Sequence, residues 1–220
     1  MFKIKILIGQ PRREDEIKQL ENEIKNNSEV DLILFPEGYF KQNKLEEVCR
    51  LAEKYHTYIV AGYKDENNKD KAYIANRTGK LILERAKTPE EVNLCNPSKT
   101  EDNGLRLGYL LCREIFQGIE DLDRQDVDLI LNPIGVGMYS EEQFDKWTGE
   151  ARKIAIDQKS IVIGTSHADG SYRNCGFSIP IAYCFDKNGN DVLISKNDVR
   201  TRIVDTETKL SEIIEYTTSK

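Results

Sequence analysis

One seven-residue frame occurs twice in this chain, as Val30-Asp-Leu-Ile-Leu-Phe-Pro36 and as Val127-Asp-Leu-Ile-Leu-Asn-Pro133. Each copy is a short, unbroken apolar run, the pattern of a strand buried on both faces rather than one with a wet side. The closing proline lacks a ladder donor and ends the strand. Helical spacing precedes each copy, through Ile17, Leu20 and Ile24 in the first half and Ile115, Ile119 and Leu122 in the second. Each half then adds a further strand, Tyr58 to Tyr63 and Ile161 to Thr165, followed by a hairpin. The first hairpin joins about Ala72 to Asn76 with Lys80 to Arg85 through Arg77-Thr-Gly79. The second joins Phe177 to Phe185 with Val192 to Ser195 through Lys187-Asn-Gly189. Glycine at such a turn tolerates the backbone that a tight antiparallel reversal needs.

A chain that repeats strand, helix and hairpin in two halves is expected to build two mixed sheets facing each other with helices outside. The 220 residues suffice for one core of that kind, and no linker or low-complexity tract divides them, so a single domain over 1–220 is expected. The remaining patterns predict an opening strand, Ile4 to Ile8, and a helix through Leu45, Val48, Leu51, Ala52 and Tyr55. A longer helix is predicted through Phe144, Trp147, Ala151, Ile154 and Ala155. The polar stretch Thr88 to Asn103 reads as a surface loop. Arg200-Thr-Arg202 reads as a solvated feature, and the polar tail from Thr206 as holding at most one short helix around Leu210 to Ile214.

Charge narrows the function classes. Charged residues make up 32% of the chain with a net charge of −6, and both signs are mixed along it. Without a basic stripe, nucleic acid is not the expected partner. No apolar run approaches membrane-spanning length, and the lysine-interrupted N-terminus does not read as a signal peptide. The five cysteines include no C-x-x-C pair, which suits a reducing, cytoplasmic setting. His56 and His167 are too few and too far apart to suggest a metal site, and His167, after the strand end Gly164-Thr-Ser166, reads as a surface residue with a pocket-lining place as the alternative.

Three strand exits carry reactive groups: Glu37 after Pro36, Lys87 after Leu81-Ile-Leu-Glu-Arg-Ala86, and Cys112 after Gly108-Tyr-Leu-Leu111. Taken singly, each has a plain explanation: a turn carboxylate, a solvated lysine, a packed thiol. Cys112 stands where a helix is expected to begin, and the positive end of that helix would favour its thiolate. Cys49, Cys184 and Cys175 read as structural, and Cys95 as incidental.

In this order the residues resemble the nitrilase, or carbon–nitrogen hydrolase, superfamily. Its P-E glutamate, its lysine and its C-x-[DE] cysteine are matched by Pro36-Glu37, Lys87 and Cys112-Arg113-Glu114. Gln10, Ala61-Gly62, Trp147 and Ala151-Arg152 match around them, so the likeness runs from Ile4 to Val204. The resemblance implies a four-layer α-β-β-α sandwich. It also implies Glu37 as general base, Cys112 as nucleophile, and Lys87 with the backbone N–H of Arg113 as stabilisers of the oxyanion. The substrate would be a small linear amide, cleaved through a thioester without metal or organic cofactor, as in amidases, ω-amidases and N-carbamoyl hydrolases. Members carry a second glutamate between lysine and cysteine, for which Glu90, Glu91 and Glu101 are all available. Tyr39, Glu91, Asn132 and Gly135 are candidate pocket residues, and the Arg113 side chain either meets a substrate carboxylate or points to solvent. By the same analogy a homodimer, or a higher homo-oligomer, would form across Ile115 to Leu122 and Phe144 to Ile156. The alternative is a catalytically weak relative serving binding or assembly. It is favoured by Phe116-Gln-Gly118, which stands where the family carries Phe-Pro-Glu. A nucleotide-binding fold is set aside for want of a glycine-rich phosphate loop.

Overall fold

The computed structural model describes residues 3–117 and 126–216. In chain order the first half runs β1 (Lys5–Ile8), α1 (Lys18–Asn26), β2 (Leu32–Leu34), β3 (Phe40–Lys41), α2 (Leu45–Tyr55), β4 (Tyr58–Lys64), β5 (Asp70–Ala75) and β6 (Leu81–Ala86). The second runs β7 (Lys99–Asp102), β8 (Leu105–Tyr109), β9 (Leu129–Ile134), α3 (Glu141–Gln158), β10 (Ile161–Ser166), β11 (Ile181–Phe185), β12 (Asp191–Lys196), β13 (Arg202–Asp205) and β14 (Leu210–Ile213). One sheet has the order β14-β13-β1-β2-β4-β5-β6, with β3 on β4, and the other the order β12-β11-β10-β9-β8-β7.

The duplicated frame lies at the same place in both sheets. β2 is parallel to β1 and β4, and β9 is parallel to β8 and β10. In each copy the two leucines point between the sheets and the isoleucine points outward. Leu32, Leu34, Leu129 and Leu131 share the central core, while Ile33 packs with α1 and α2 and Ile130 packs with α3. Both sheets are therefore covered on both faces, which is why their strands read as continuous apolar runs. The frame's aspartate repeats its role too. Asp31 accepts the Lys5 N–H at 2.8 Å, and Asp128 accepts the Arg106 N–H at 3.1 Å, each securing the neighbouring parallel strand. Layered as helix, sheet, sheet and helix, the chain forms the four-layer sandwich.

The helices follow from their apolar spacing and their ends. α1 buries Leu20 and Ile24, and α2 buries Val48 and Ala52. α3 opens on Ser140, whose hydroxyl accepts the Gln143 N–H at 3.1 Å, and closes on Lys159 in the left-handed region.

Four expectations are corrected. The predicted loop from Thr88 to Asn103 contains β7, which pairs antiparallel with β8 and forms an edge. Its Lys-Thr-Glu-Asp sequence has no apolar alternation, since an edge strand is held by its ladder and gains solubility from charge. The polar tail forms β14 rather than a helix, paired with β13, which itself lies antiparallel to β1. Arg202, read as solvated, is buried and reaches Asp198 at 2.6 Å. After Cys112 comes one turn of 3-10 helix, Cys112–Phe116, and the predicted continuation to Leu122 lies outside the described residues.

Candidate active site

β2, β6 and β8 deliver the three reactive groups to one end of the sandwich. β5 is antiparallel to both β4 and β6, so β6 runs in the direction of β4 and β2. Glu37 and Lys87 therefore leave the first sheet on the same side, while Cys112 leaves the second sheet at the C-terminal end of its parallel strands. Open parallel sheets present ligand sites at such ends.

Glu37 is buried, and the Lys87 ammonium donates to its Oε1 at 2.6 Å. The charge of the same carboxylate acts on the Cys112 thiol, which lines the cleft beside it. Burial raises the Glu37 pKa, an effect that Lys87 opposes and the charge of Asp70 reinforces. Burial opposes the charge on Lys87, but the sulfur of Cys112 when ionised and the Glu37 carboxylate outweigh it, and its pKa is raised. Cys112 is pushed up to about 12, first by burial and then by the Glu37 charge. The expected helix-end stabilisation of a thiolate is thus replaced by a protonated thiol facing a carboxylate. A five-residue turn supplies little dipole, and desolvation dominates.

The backbone of Cys112 is held in the left-handed region at φ 55°. That conformation is costly for a residue with a Cβ, and the surroundings over-determine it. Glu114, fully buried, accepts the Leu111 N–H at 2.5 Å on one side of the nucleophile. The same carboxylate accepts the Thr88 N–H at 2.7 Å, one residue past Lys87, and pairs with Arg85 at 2.6 and 2.8 Å. Its two oxygens therefore tie the lysine strand to the cysteine turn. Within that turn the first bond runs from Glu114 N–H to Leu111 C=O at 3.2 Å, so the Arg113 N–H stands ahead of the bonded turn.

Asn132 lies behind the nucleophile and not in the pocket wall. Its amide donates to Leu110 C=O at 2.5 Å and Cys112 C=O at 3.0 Å, and accepts from Trp147 at 3.2 Å and Tyr183 at 2.6 Å. Tyr39 is also displaced from the expected pocket: it is buried, bonded to Glu14 at 2.5 Å, and set edge-on to Phe35. Glu91 is exposed and does not line the cleft; Glu101 is exposed on β7. Glu90 does line it, paired with the Arg113 side chain. Gly135 lines it as well, and a Cβ there would fall 2.5 Å from Glu37 Oε2, so only glycine leaves the carboxylate its space. Gly62 plays the matching part behind Glu37, where a Cβ would meet the Glu37 Cα at 2.8 Å.

Three contributors carried no sequence signal or were misread. Arg13, in the loop after β1, donates to Gly135 C=O at 2.8 Å. His167 is fully buried, not superficial, and its Nε2 lies 3.1 Å from the Glu37 carbonyl; burial and the Arg13 charge lower its pKa to about 4, so it is neutral. Glu114 was legible in the C-x-E motif, but its partner Arg85 was not. The cleft lined by Glu37, Lys87, Cys112 and Arg13 measures about 1170 Å³, and Phe116, Trp147, Tyr139, Tyr172 and Phe177 also line it. Among the described residues no cluster of metal-ligating side chains occurs, and no helix is long and apolar enough to cross a membrane.

No protein-family model matches the sequence, and neither does any curated protein. Solved structures match the fold along nearly its whole length. A carbon–nitrogen hydrolase superfamily protein from Xanthomonas campestris, solved with an arsenic adduct in its active site, superposes with TM-score 0.75 at 14% identity, over 95% of this chain and 93% of that one. The fold is that of the nitrilase superfamily. A branch 10 nitrilase-superfamily protein from Saccharomyces cerevisiae gives 0.72 at 16% identity, covering 94% and 92%. A mutant of the Nesterenkonia sp. AN1 amidase in complex with butyramide gives 0.70 at 13%, covering 94% and 92%. The nitrilase-type sandwich places the strand exits of its two sheets opposite one another, and here those exits carry Glu37, Lys87 and Cys112.

Proposed function

We propose that this protein hydrolyses the C–N bond of a small linear amide through a thioester on Cys112. The observation that carries the reading is a single buried carboxylate, Glu37, held by the Lys87 ammonium at 2.6 Å and lining one open cleft with the Cys112 thiol, on which its charge acts. Glu37 takes the thiol proton as sulfur attacks the amide carbon, since a thiol this far from ionising needs a base beside it. Negative charge then builds on the amide oxygen, towards which Lys87 and the Arg113 N–H supply positive charge. One such donor contributes on the order of 10²–10³ in rate. The tetrahedral species collapses as Glu37 gives its proton to the departing nitrogen, releasing ammonia or amine and leaving the thioester. Water enters, Glu37 takes its proton, and the second tetrahedral species expels the sulfur, which recovers that proton as the acid leaves. Every proton is accounted for at Glu37, and no cofactor enters the balance.

Ammonia release from a panel of primary amides and N-carbamoyl acids, with Cys112→Ala alongside, tests the reading. Release that disappears in the variant supports it. Silence across the panel, with no covalent adduct on Cys112 by intact mass, would instead favour a nitrilase-fold protein serving binding or assembly.

A further inference from the structure

Asn132 is a polar side chain that packing alone does not explain. It is fully buried on β9, where Leu129 and Leu131 turn to the central core and Ile130 to α3, so strand alternation sends the Asn132 side chain to the α3 side. A buried amide has to be bonded throughout, and here its capacity is filled. Two carbonyls accept its N–H groups, while Trp147 and Tyr183 donate to its oxygen at 3.2 and 2.6 Å. An indole N–H can only donate, so Trp147 leaves the amide one orientation, oxygen towards the indole and nitrogen towards the turn that bears the thiol.

Tyr183 reaches that oxygen from two strands away. Asn132 on β9 is level with Gly164 on β10, and Gly164 with Tyr183 on β11. A Cβ on Gly164 would fall 2.4 Å from the Tyr183 Cζ and 2.5 Å from its hydroxyl, so the ring lies over the glycine to reach across it. One row across three strands thus serves a single amide.

What the amide holds is the backbone on both sides of the thiol. Its bonds run to Leu110 C=O at 2.5 Å and Cys112 C=O at 3.0 Å, and between these carbonyls the chain makes its left-handed turn at Cys112. Cys112 C=O and Arg113 N–H belong to one planar trans peptide, so they point in opposite directions. Drawing the carbonyl back to Asn132 turns the Arg113 N–H the other way, towards the cleft that Cys112 and Arg113 line.

We propose that Asn132, held by Trp147 and by Tyr183 across Gly164, is the positioning residue that aims the Arg113 N–H at the oxygen of the scissile group. This rests on the amidase reading of Glu37, Lys87 and Cys112 and adds to it a residue behind the nucleophile. A donor aimed in this way acts as charge builds on that oxygen, so Asn132 matters to acylation of the thiol and not to a displacement that builds no such charge.

Two reagents separate these cases on the intact protein. p-Nitrophenyl acetate acylates a thiol through a tetrahedral oxyanion: the C–S bond forms, the C–O bond breaks and p-nitrophenolate leaves. Iodoacetamide alkylates the same sulfur by displacing iodide, with no oxyanion. Each rate is taken as the difference between the protein and its Cys112→Ala variant. In Asn132→Leu, acylation is expected to fall about 10²–10³-fold, the worth of one oxyanion donor, while alkylation stays within about twofold. Tyr183→Phe and Trp147→Phe each remove one bond to the Asn132 oxygen and keep a ring in place. Each is expected to slow acylation about fivefold, the effect of one hydrogen bond, and to leave alkylation unchanged. These two variants decide the matter if Asn132→Leu does not fold. Equal falls in both rates would reduce Asn132 to a support of the turn, and unchanged acylation would give it no part in the reaction; either result overturns the proposal. An acylation defect in these variants, alongside no ammonia from the amide panel in the wild type, would sink the amidase reading and leave the positioning role standing.

Discussion

Cys112 concentrates the conflict between stability and function into one residue. Its φ of 55° suits glycine, yet the reaction proposed needs a thiol. Cys112→Gly and Cys112→Ala are both expected to be inactive, and the glycine variant is expected to be the more stable of the two by about 1 kcal/mol, read from urea unfolding. Equal stabilities would mean that the turn carries no strain. Glu37 sets the pH response. Burial raises its pKa, and below that raised value the carboxyl holds its own proton and cannot accept the thiol's. The acid limb of kcat/KM is therefore expected above the ordinary glutamate value of about 4.3, with activity falling as pH falls through it. Since the Lys87 charge opposes the rise, Lys87→Met should move whatever activity remains to a still higher pH. A limb at or below the ordinary value would exclude Glu37 as the base.

Between elements, the decisive contact is the ion pair that joins β6 to the turn after β8. The Arg85 side chain is 3% exposed and Glu114 is not exposed at all, so breaking the pair strands a charge in the core. Glu114→Gln is expected to cost about 3–5 kcal/mol of stability and to lower kcat, because Lys87 and Cys112 lose their shared anchor. Replacing both partners, as Arg85→Met with Glu114→Leu, is expected to recover much of the stability without recovering turnover. Full recovery of both would reduce the pair to a packing element. The same scale explains the strands that sequence patterning mistook. β7 and β14 are edge strands with little to bury, and their polar residues carry neither a period of two nor a turn signal strong enough to declare them.

For the whole molecule, the repeated frame sets the design. Each copy places a parallel strand in the middle of its sheet, leucines inward and isoleucine outward; β2 stops before Pro36 as expected, whereas β9 runs through Pro133 to Ile134, so the second proline does not end its strand. In the first copy Glu37 follows the proline; in the second Ile134 and then Gly135 follow, and Gly135 leaves the Glu37 carboxylate its room. We propose that two copies of the chain associate through the outer face of α3, where Ile156 is 48% exposed on an otherwise polar surface. Sedimentation is expected to give a dimer that Ile156→Glu weakens; a monomer at micromolar concentration would sink that proposal.

The sequence by itself determined the two-sheet plan and the strand exits that bear Glu37, Lys87 and Cys112, because continuous apolar runs, prolines and turn glycines act over a few residues. Tertiary structure alone decided which of the remaining residues meet those three. Arg85 with Glu114, Arg13 with Gly135, and His167 with the Glu37 carbonyl are contacts between segments far apart in the chain. It also moved Asn132 behind the nucleophile and Tyr39 into the core, since a residue at a strand end faces either the cleft or the packed layer according to the register of neighbouring strands. Local pattern records which segments are buried; only the pairing of distant strands determines what each buried polar group bonds to.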